Sequence, residues 1–193
     1  MLGLRLKTDL RWAALAKHNL QALLVDHAYC EQKAASSAIS LIVHFPEHAP
    51  LVQAMSRIAQ EEMLHFEQVH QKLLERGWKL GRERKDPYVH DLMAFVQKDK
   101  GRSQLLLDRL LFAAMIEARS CERFRLLSTT IADQDLRSFY HELMVSEANH
   151  YVTFLDLART YCGRQAADSR WQQWLAYEEE VITRYGHAPT MHG

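Results

Sequence analysis

The chain has 193 residues, 24 Lys+Arg against 24 Asp+Glu, 11 His, 3 Cys and an apolar fraction of 48%. That length fits one domain, and the composition excludes wholesale disorder. A formal net charge of zero excludes a strongly basic nucleic-acid binder or an acidic tail protein, yet leaves room for a basic patch on one face.

Glycine and proline are scarce, and they divide the chain. Between them the segments are rich in Ala, Leu, Gln, Glu, Lys and Arg, with no alternating β-branched run, so the elements are helices. The first long helix ends near His44, with a kink around His18–Asn19. Pro46 and Pro50 bracket the turn into a second helix over Leu51 to Arg76. Gly77, Gly81 and Pro87 mark a longer loop, followed by a short helix at Tyr88–Asp99. Gly101 precedes a third long helix, Arg102 to Leu127. Ser128 to Asp135 (STTIADQD) supplies capping residues for the fourth, Asp135 to Tyr161. Gly163 then separates an accessory helix at Asp168–Tyr185. Short turns make each pair antiparallel, and the long middle connection lets the second pair dock beside the first. The expectation is all-α: a four-helix bundle of two hairpins joined by a crossover, plus short accessory helices. It forms a single domain over 1–193, with its core at about 19–162 and the accessory helix at about 168–185.

The three cysteines (Cys30, Cys121, Cys162) form no CxxC pair, which removes a zinc ribbon, a rubredoxin-type iron site and a disulfide framework. The opening MLGLRLKTDLRW lacks the apolar core and cleavage site of a secretory signal. The longest uncharged stretch, Ala34 to Pro46, falls short of the roughly 20 residues that span a bilayer. A cytoplasmic protein without a membrane segment is expected.

The chemistry lies where polar residues interrupt apolar stripes. The fourth helix runs Leu136, Tyr140, Leu143, Glu147, His150, Phe154, Leu157, Tyr161, and the second runs Leu51, Met55, Ile58, Glu62, His65, Val69, Leu73. Each carries a Glu and a His three apart in mid-stripe. The third runs Leu106, Leu110, Ala113, Glu117, Ser120, Phe124 and the first Leu20, Leu24, His27, Glu31, Ala34, Ala38, each with one central Glu. Glu31 precedes Glu62 by 31 residues and Glu117 precedes Glu147 by 30. The pattern is a Glu followed one hairpin later by Glu-x-x-His, twice, and it reads as an internal repeat.

Four buried carboxylates repel one another unless they are compensated, and two divalent cations supply that compensation. Positions i and i+3 share a helix face, so Glu62 with His65, and Glu147 with His150, reach one metal each. One Glu from each of two helices plus Glu-x-x-His from each of the other two is the ligand set of ferritin-like di-iron and di-manganese carboxylate proteins. Its oxygen and imidazole donors suit iron or manganese. His27, one turn before Glu31, is either a partner of that carboxylate or a core or rim histidine. His44, His48, His70, His90, His141, His187 and His192 read as surface or loop residues. Cys30 and Cys121 read as buried inert thiols, and Glu61 and Glu67 as outward-facing.

The blocks DHAYCEQKAASSA (Asp26 to Ala38), EEMLHFEQV (Glu61 to Val69), RKDPYVHDL (Arg84 to Leu92), IEARSCERF (Ile116 to Phe124) and SEANHY (Ser146 to Tyr151) resemble the bacterial tRNA 2-methylthio-N(6)-isopentenyladenosine hydroxylase family. The resemblance runs from about Leu20 to Trp174. It implies a non-haem di-iron monooxygenase whose two irons are held by Glu31, Glu62, His65, Glu117, Glu147 and His150. O₂ would be the co-substrate, and a ferredoxin or reductase the electron donor. One oxygen atom would be placed on the isopentenyl group of the modified adenosine beside the anticodon. Roles for the first dozen residues and the tail after Ile182 stay open, as does the choice between a monomer and a small homo-oligomer.

For a tRNA partner the candidate phosphate contacts are Arg82, Arg84 and Lys85 in the middle loop and Lys98, Lys100 and Arg102 before the third long helix. Trp78 or Tyr88 would be the aromatic on which a base stacks. Small residues near the ligands (Ala34, Ala35, Ser36, Ser37, Ser120, Cys121) leave room for O₂ and a prenyl tail, or simply allow close helix packing. Two other readings share the metal pattern: a ferritin-like iron-binding or ferroxidase protein, and a peroxide-handling enzyme of the rubrerythrin or manganese-catalase type. The missing CxxC module disfavours rubrerythrin, and the fully duplicated ligand set disfavours a ferritin store.

Overall fold

Asn19 breaks the first helical run where the sequence places its kink. Its side-chain amide donates to the Leu15 carbonyl at 2.9 Å, closing α1 (Leu10–His18), and α2 (Leu20–His44) starts one residue later. Pro50 opens α3 (Ala49–Glu75) from its first turn, a position where the missing N–H costs nothing. The computed structural model describes residues 2–185 and 190–192. The described residues hold seven helices and no strand, and His187 lies outside them.

The remaining helices follow their caps. Asp86 accepts from the Val89 N–H at 3.0 Å and, with Pro87, starts α4 (Pro87–Met93). This element is shorter than its expected Tyr88–Asp99. Beyond Met93 the chain tightens into three-residue turns, and the Gln97 N–H donates to Asp108 instead of continuing the helix. Gly101 precedes α5 (Arg102–Thr130). Asp133 accepts from the N–H groups of Asp135 and Leu136, which caps α6 (Gln134–Cys162). Gly163, with φ of 84°, turns the chain so sharply that α7 (Arg164–Tyr185) begins four residues before the expected Asp168.

The described residues divide into two compact units: residues 15–85 with 190–191, and residues 2–14 with 86–185 and 192. In the first, α2 and α3 form an antiparallel hairpin. Every member of the α3 stripe is buried, whereas Leu20 and Ala34 of α2 are half-buried and Ala35 takes the inward place. The hairpin is closed at one end by the loop after α3, where the Tyr29 hydroxyl donates to the Gly81 carbonyl at 2.9 Å. The Met191 N–H donates to Asp26 at 2.6 Å.

In the second unit α5 and α6 form the corresponding hairpin, and α7 packs on both. Here α5 is buried on nearly every side, including Asp108, Arg119, Glu122 and Arg123. Asp108 accepts from Arg170 (2.7 Å) and the Trp174 indole (3.2 Å) of α7. Arg119 donates to Glu122 and to Glu178 of α7, both at 2.6 Å, and to the Leu6 carbonyl at 3.1 Å. Thr8 completes the ring by donating its hydroxyl to Glu122. Burial opposes the charge on Arg119, but Tyr88, Glu178 and Glu122 around it outweigh that cost and raise its pKa. Arg123 has its guanidinium 4.5 Å from the centre of the Trp12 ring; burial, then the charge of Arg119, pushes its pKa down to about 10. These contacts give the first dozen residues and α7 their role: they cover the outer face of α5. Among the described residues no helix is long and apolar enough to cross a membrane.

Candidate metal centre

Each unit builds a carboxylate and imidazole cluster from its own hairpin. In the first, Glu31 comes from α2, and Glu62 and His65 come from adjacent turns of α3; all three are buried. His65 Nδ1 stands 3.3 Å from Glu62 Oε2 and 3.8 Å from Glu31 Oε2. In the second, Glu117 comes from α5 and Glu147 and His150 from α6, with His150 Nδ1 3.5 Å from Glu147 Oε2. Within each set of three, ligand atoms lie within 4.8 Å of one another.

The four glutamates are at most 5% exposed. Carboxylates this deep must be protonated, paired or metal-bound. Two acids and one imidazole within a few ångströms match the donor chemistry of a divalent first-row metal. The residues present therefore fit a metal centre.

His27 meets both readings left open by the sequence, a core histidine and a partner of Glu31. It is fully buried, and its Nε2 lies 2.5 Å from Glu31 Oε1, so it holds the carboxylate in place, as outer partners of metal ligands do. Its position one turn before Glu31 on the same face was the available signal. Cys121 is buried and donates to the Met144 carbonyl at 3.4 Å. Burial, then the charge of Glu147, pushes its thiol up to about 11, which makes it inert near neutrality. Cys30 is only half-buried, unlike the expected buried thiol, because its face of α2 is not fully covered.

Two expectations need correction. Tyr88 is fully buried, not an exposed stacking platform: its hydroxyl donates to Glu178 at 3.0 Å and its ring stacks on His192. His192 is 2% exposed, not a surface residue. Its Nδ1 sits 3.0 Å from Asp86 Oδ2 and its Nε2 3.3 Å from Ser120 Oγ, one turn beyond Glu117. Nothing in the local pattern of a chain end signals such a long-range anchor. His44, His90, His141, Glu61 and Glu67 are exposed as expected, and His48 and His70 are half-buried. Arg82, Arg84, Lys85, Lys98, Lys100 and Arg102 are all exposed. Arg82 and Arg84 line one cavity together with the half-buried Trp78, and Lys98 and Lys100 line a smaller one beside Asp99.

The all-helical fold and the doubled carboxylate and imidazole sets define a ferritin-like protein. A solved structure described as protein 43 with aldehyde deformylating oxygenase activity from Synechococcus matches it with a TM-score of 0.92 at 32% identity, covering 98% of this chain and 95% of that one. The chain belongs to the family described as tRNA-(MS[2]IO[6]A)-hydroxylase (MiaE), whose sequence model matches residues 3–193. A Pseudomonas putida protein named tRNA 2-(methylsulfanyl)-N(6)-isopentenyladenosine(37) hydroxylase is 42% identical over 172 residues, covering 89% of this chain and 82% of the relative. A Salmonella typhimurium protein of the same name is 28% identical over 201 aligned positions, covering 79% and 73% respectively.

Proposed function

We propose that this chain is a non-haem di-iron monooxygenase that hydroxylates the isopentenyl group of 2-methylthio-N(6)-isopentenyladenosine beside the anticodon of tRNA. The observation that carries this reading is the doubled set of two buried glutamates and one histidine, on a chain whose relatives are named for that reaction. Glu31, Glu62, His65, Glu117, Glu147 and His150 would hold two irons. When bound, the irons would supply activation of O₂ with two electrons from a ferredoxin or reductase and two protons, one oxygen atom going to a prenyl methyl group and the other to water.

The chain's own residues prepare that chemistry. His27 fixes the orientation of Glu31 through its Oε1. The α3 stripe, and the α6 stripe from Leu136 to Phe154 (Leu157 and Tyr161 are only half-buried), exclude bulk water from the glutamates. Cys121, neutral near pH 7, offers no competing thiolate. Ala34, Ala35 and Ser37, one to two turns after Glu31, add little bulk beside it, consistent with room for a prenyl chain. Arg82, Arg84, Lys85, Lys98, Lys100 and Arg102 are the exposed cations that would meet tRNA phosphates. In this reading residues 1–193 act as one domain, in the cytoplasm. An iron store or a peroxide-handling enzyme shares the ligand set, but neither is the activity for which the relatives are named.

Nucleoside mass spectrometry of tRNA from a strain lacking this gene tests the reading. The hydroxylated nucleoside should vanish while its prenylated precursor accumulates. An unchanged nucleoside profile, in an organism with no second hydroxylase, would reject it.

A further inference from the structure

We infer that the cavity at the elbow between α1 and α2 is a groove for a single nucleotide of the RNA strand flanking the reacting base. The inference rests on the tRNA reading above and assigns a place to its partner. The cavity measures about 670 Å³ and is walled by Lys17 and His18 at the end of α1, the first turns of α2, and Trp78, Lys79, Arg82 and Arg84 of the loop after α3. Concave sites of roughly 300–1,000 Å³ suit small ligands of nucleotide size.

Its charge is one-sided. Lys17, Lys79, Arg82 and Arg84 are exposed, and no carboxylate lines the cavity among the described residues. None of these four cations has an acidic partner among the described residues. The acid between them in sequence, Glu83, pairs instead with Lys33 at 2.9 Å. Four basic side chains around one concavity therefore suit an anion. Lys33–Glu83 and the Tyr29 hydroxyl on the Gly81 carbonyl fix the loop wall against α2, so little ordering is needed when a ligand arrives.

The aromatic component narrows the anion. Trp78 is half-buried in the wall, whereas Trp12, Trp171 and Trp174 are buried. An aromatic face beside arginines and lysines is how proteins hold unstacked bases and their phosphates. An acidic protein surface would meet the same charges but leave the concavity unfilled. Val25, in the cavity wall, precedes Glu31 by six residues, and Leu20 precedes it by eleven. At about 1.5 Å per residue the groove lies about 9–17 Å along α2 from that glutamate. That separation suits a neighbour of the reacting nucleotide, not the reacting base.

The test uses full-length, metal-loaded protein and an in-vitro transcribed anticodon stem–loop without modification. Lys17→Ala/Arg82→Ala and Lys79→Ala/Arg84→Ala should each weaken binding at least tenfold and flatten its salt dependence by roughly 0.7 per lost phosphate contact. A control pair of exposed cations elsewhere, Arg57→Ala/Arg137→Ala, should change binding less than threefold. RNA should quench tryptophan fluorescence of the wild type, and Trp78→Phe should abolish the quenching; this arm needs no charge variant to fold. If wild-type protein binds the stem–loop but the groove pairs behave like the control, or if Trp78 is silent to RNA, the groove assignment is wrong and the hydroxylase reading stands. If the groove pairs lose an acidic electron-donor protein but keep RNA, the groove belongs to that donor and the assignment again falls. If wild-type protein binds no tRNA at all, the functional reading fails with it.

Discussion

The two hairpins repeat one ligand pattern on different surroundings. Glu31, Glu62 and His65 recur as Glu117, Glu147 and His150, displaced by 85 or 86 residues. Applying the displacement of 86 to the rest of α2 and α5 shows what was not kept. His27, which holds Glu31, corresponds to Ala113; the exposed Ser36 and half-buried Ser37 correspond to the buried Glu122 and Arg123; and Lys33, paired at the surface, corresponds to the fully buried Arg119. Both halves keep buried glutamate and histidine on the inner face, the set proposed to hold metal. The outer face follows what packs on it, and in the second unit that is α7 and the N-terminal segment.

The ligand variants should show the largest effect and the closest symmetry. Glu62→Ala/His65→Ala and Glu147→Ala/His150→Ala should each fall from two bound metals per chain to at most one, measured by elemental analysis after gel filtration. Retention of two by either variant would break the equivalence of the halves. The outer faces should respond unequally. Arg119→Ala strands two buried carboxylates and should cost about 3–5 kcal/mol in chemical denaturation, while Lys33→Ala removes a surface pair and should cost less than about 1 kcal/mol. Similar losses would mean that the covering of α5 contributes little.

A third contrast separates the holders of the two lone glutamates. His27→Ala should weaken metal binding by about 10–100-fold, and His27→Gln should restore part of it, read by competitive titration with a chelator. Ala113→Gly should leave the affinity unchanged. The smallest effect concerns Tyr88. Burial, then the charge of Glu178, holds its phenol well above the ordinary value of 10.0. A raised acid pKa of this kind contributes stability that is present below pH 10 and is lost as pH rises toward the folded-state value. Tyr88→Phe should cost about 1 kcal/mol at neutral pH and give a shallower decline above pH 10 in denaturant melts. An unchanged decline would place the alkaline sensitivity elsewhere.

The inner face was legible in the sequence because a helix stripe is a local, periodic object. Leu51 to Leu73 on α3 and Leu106 to Phe124 on α5 bury as their spacing requires, and the Glu and His within them fall where they interrupt it. The breaks near Asn19 and at Gly163 were legible too, as was the capping stretch that contains Asp133. The outer face of α5 was not. Asp108, Arg119 and Glu122 look like solvated charges until partners 50 to more than 100 residues away, such as Arg170, Glu178 and Thr8, come to meet them. Tyr88 and His192 were misplaced for the same reason, since their burial depends on Glu178, Asp86 and Ser120. The cavity at Lys17 and Trp78 gathers residues about 60 apart, so only Arg82, Arg84 and Trp78 stand out in the sequence.

Glu31, Glu62 and His65, and Glu117, Glu147 and His150, are proposed to hold the metals needed for oxygen insertion into the isopentenyl group of a tRNA nucleoside. A single turnover of the reduced, iron-loaded protein with tRNA bearing the prenylated nucleoside, under isotopically labelled O₂, tests it most directly. One labelled oxygen atom should appear in the product nucleoside, and none when the proposed ligands of either hairpin are replaced. Consumption of O₂ with the nucleoside unchanged, or oxygen derived from water, would contradict it.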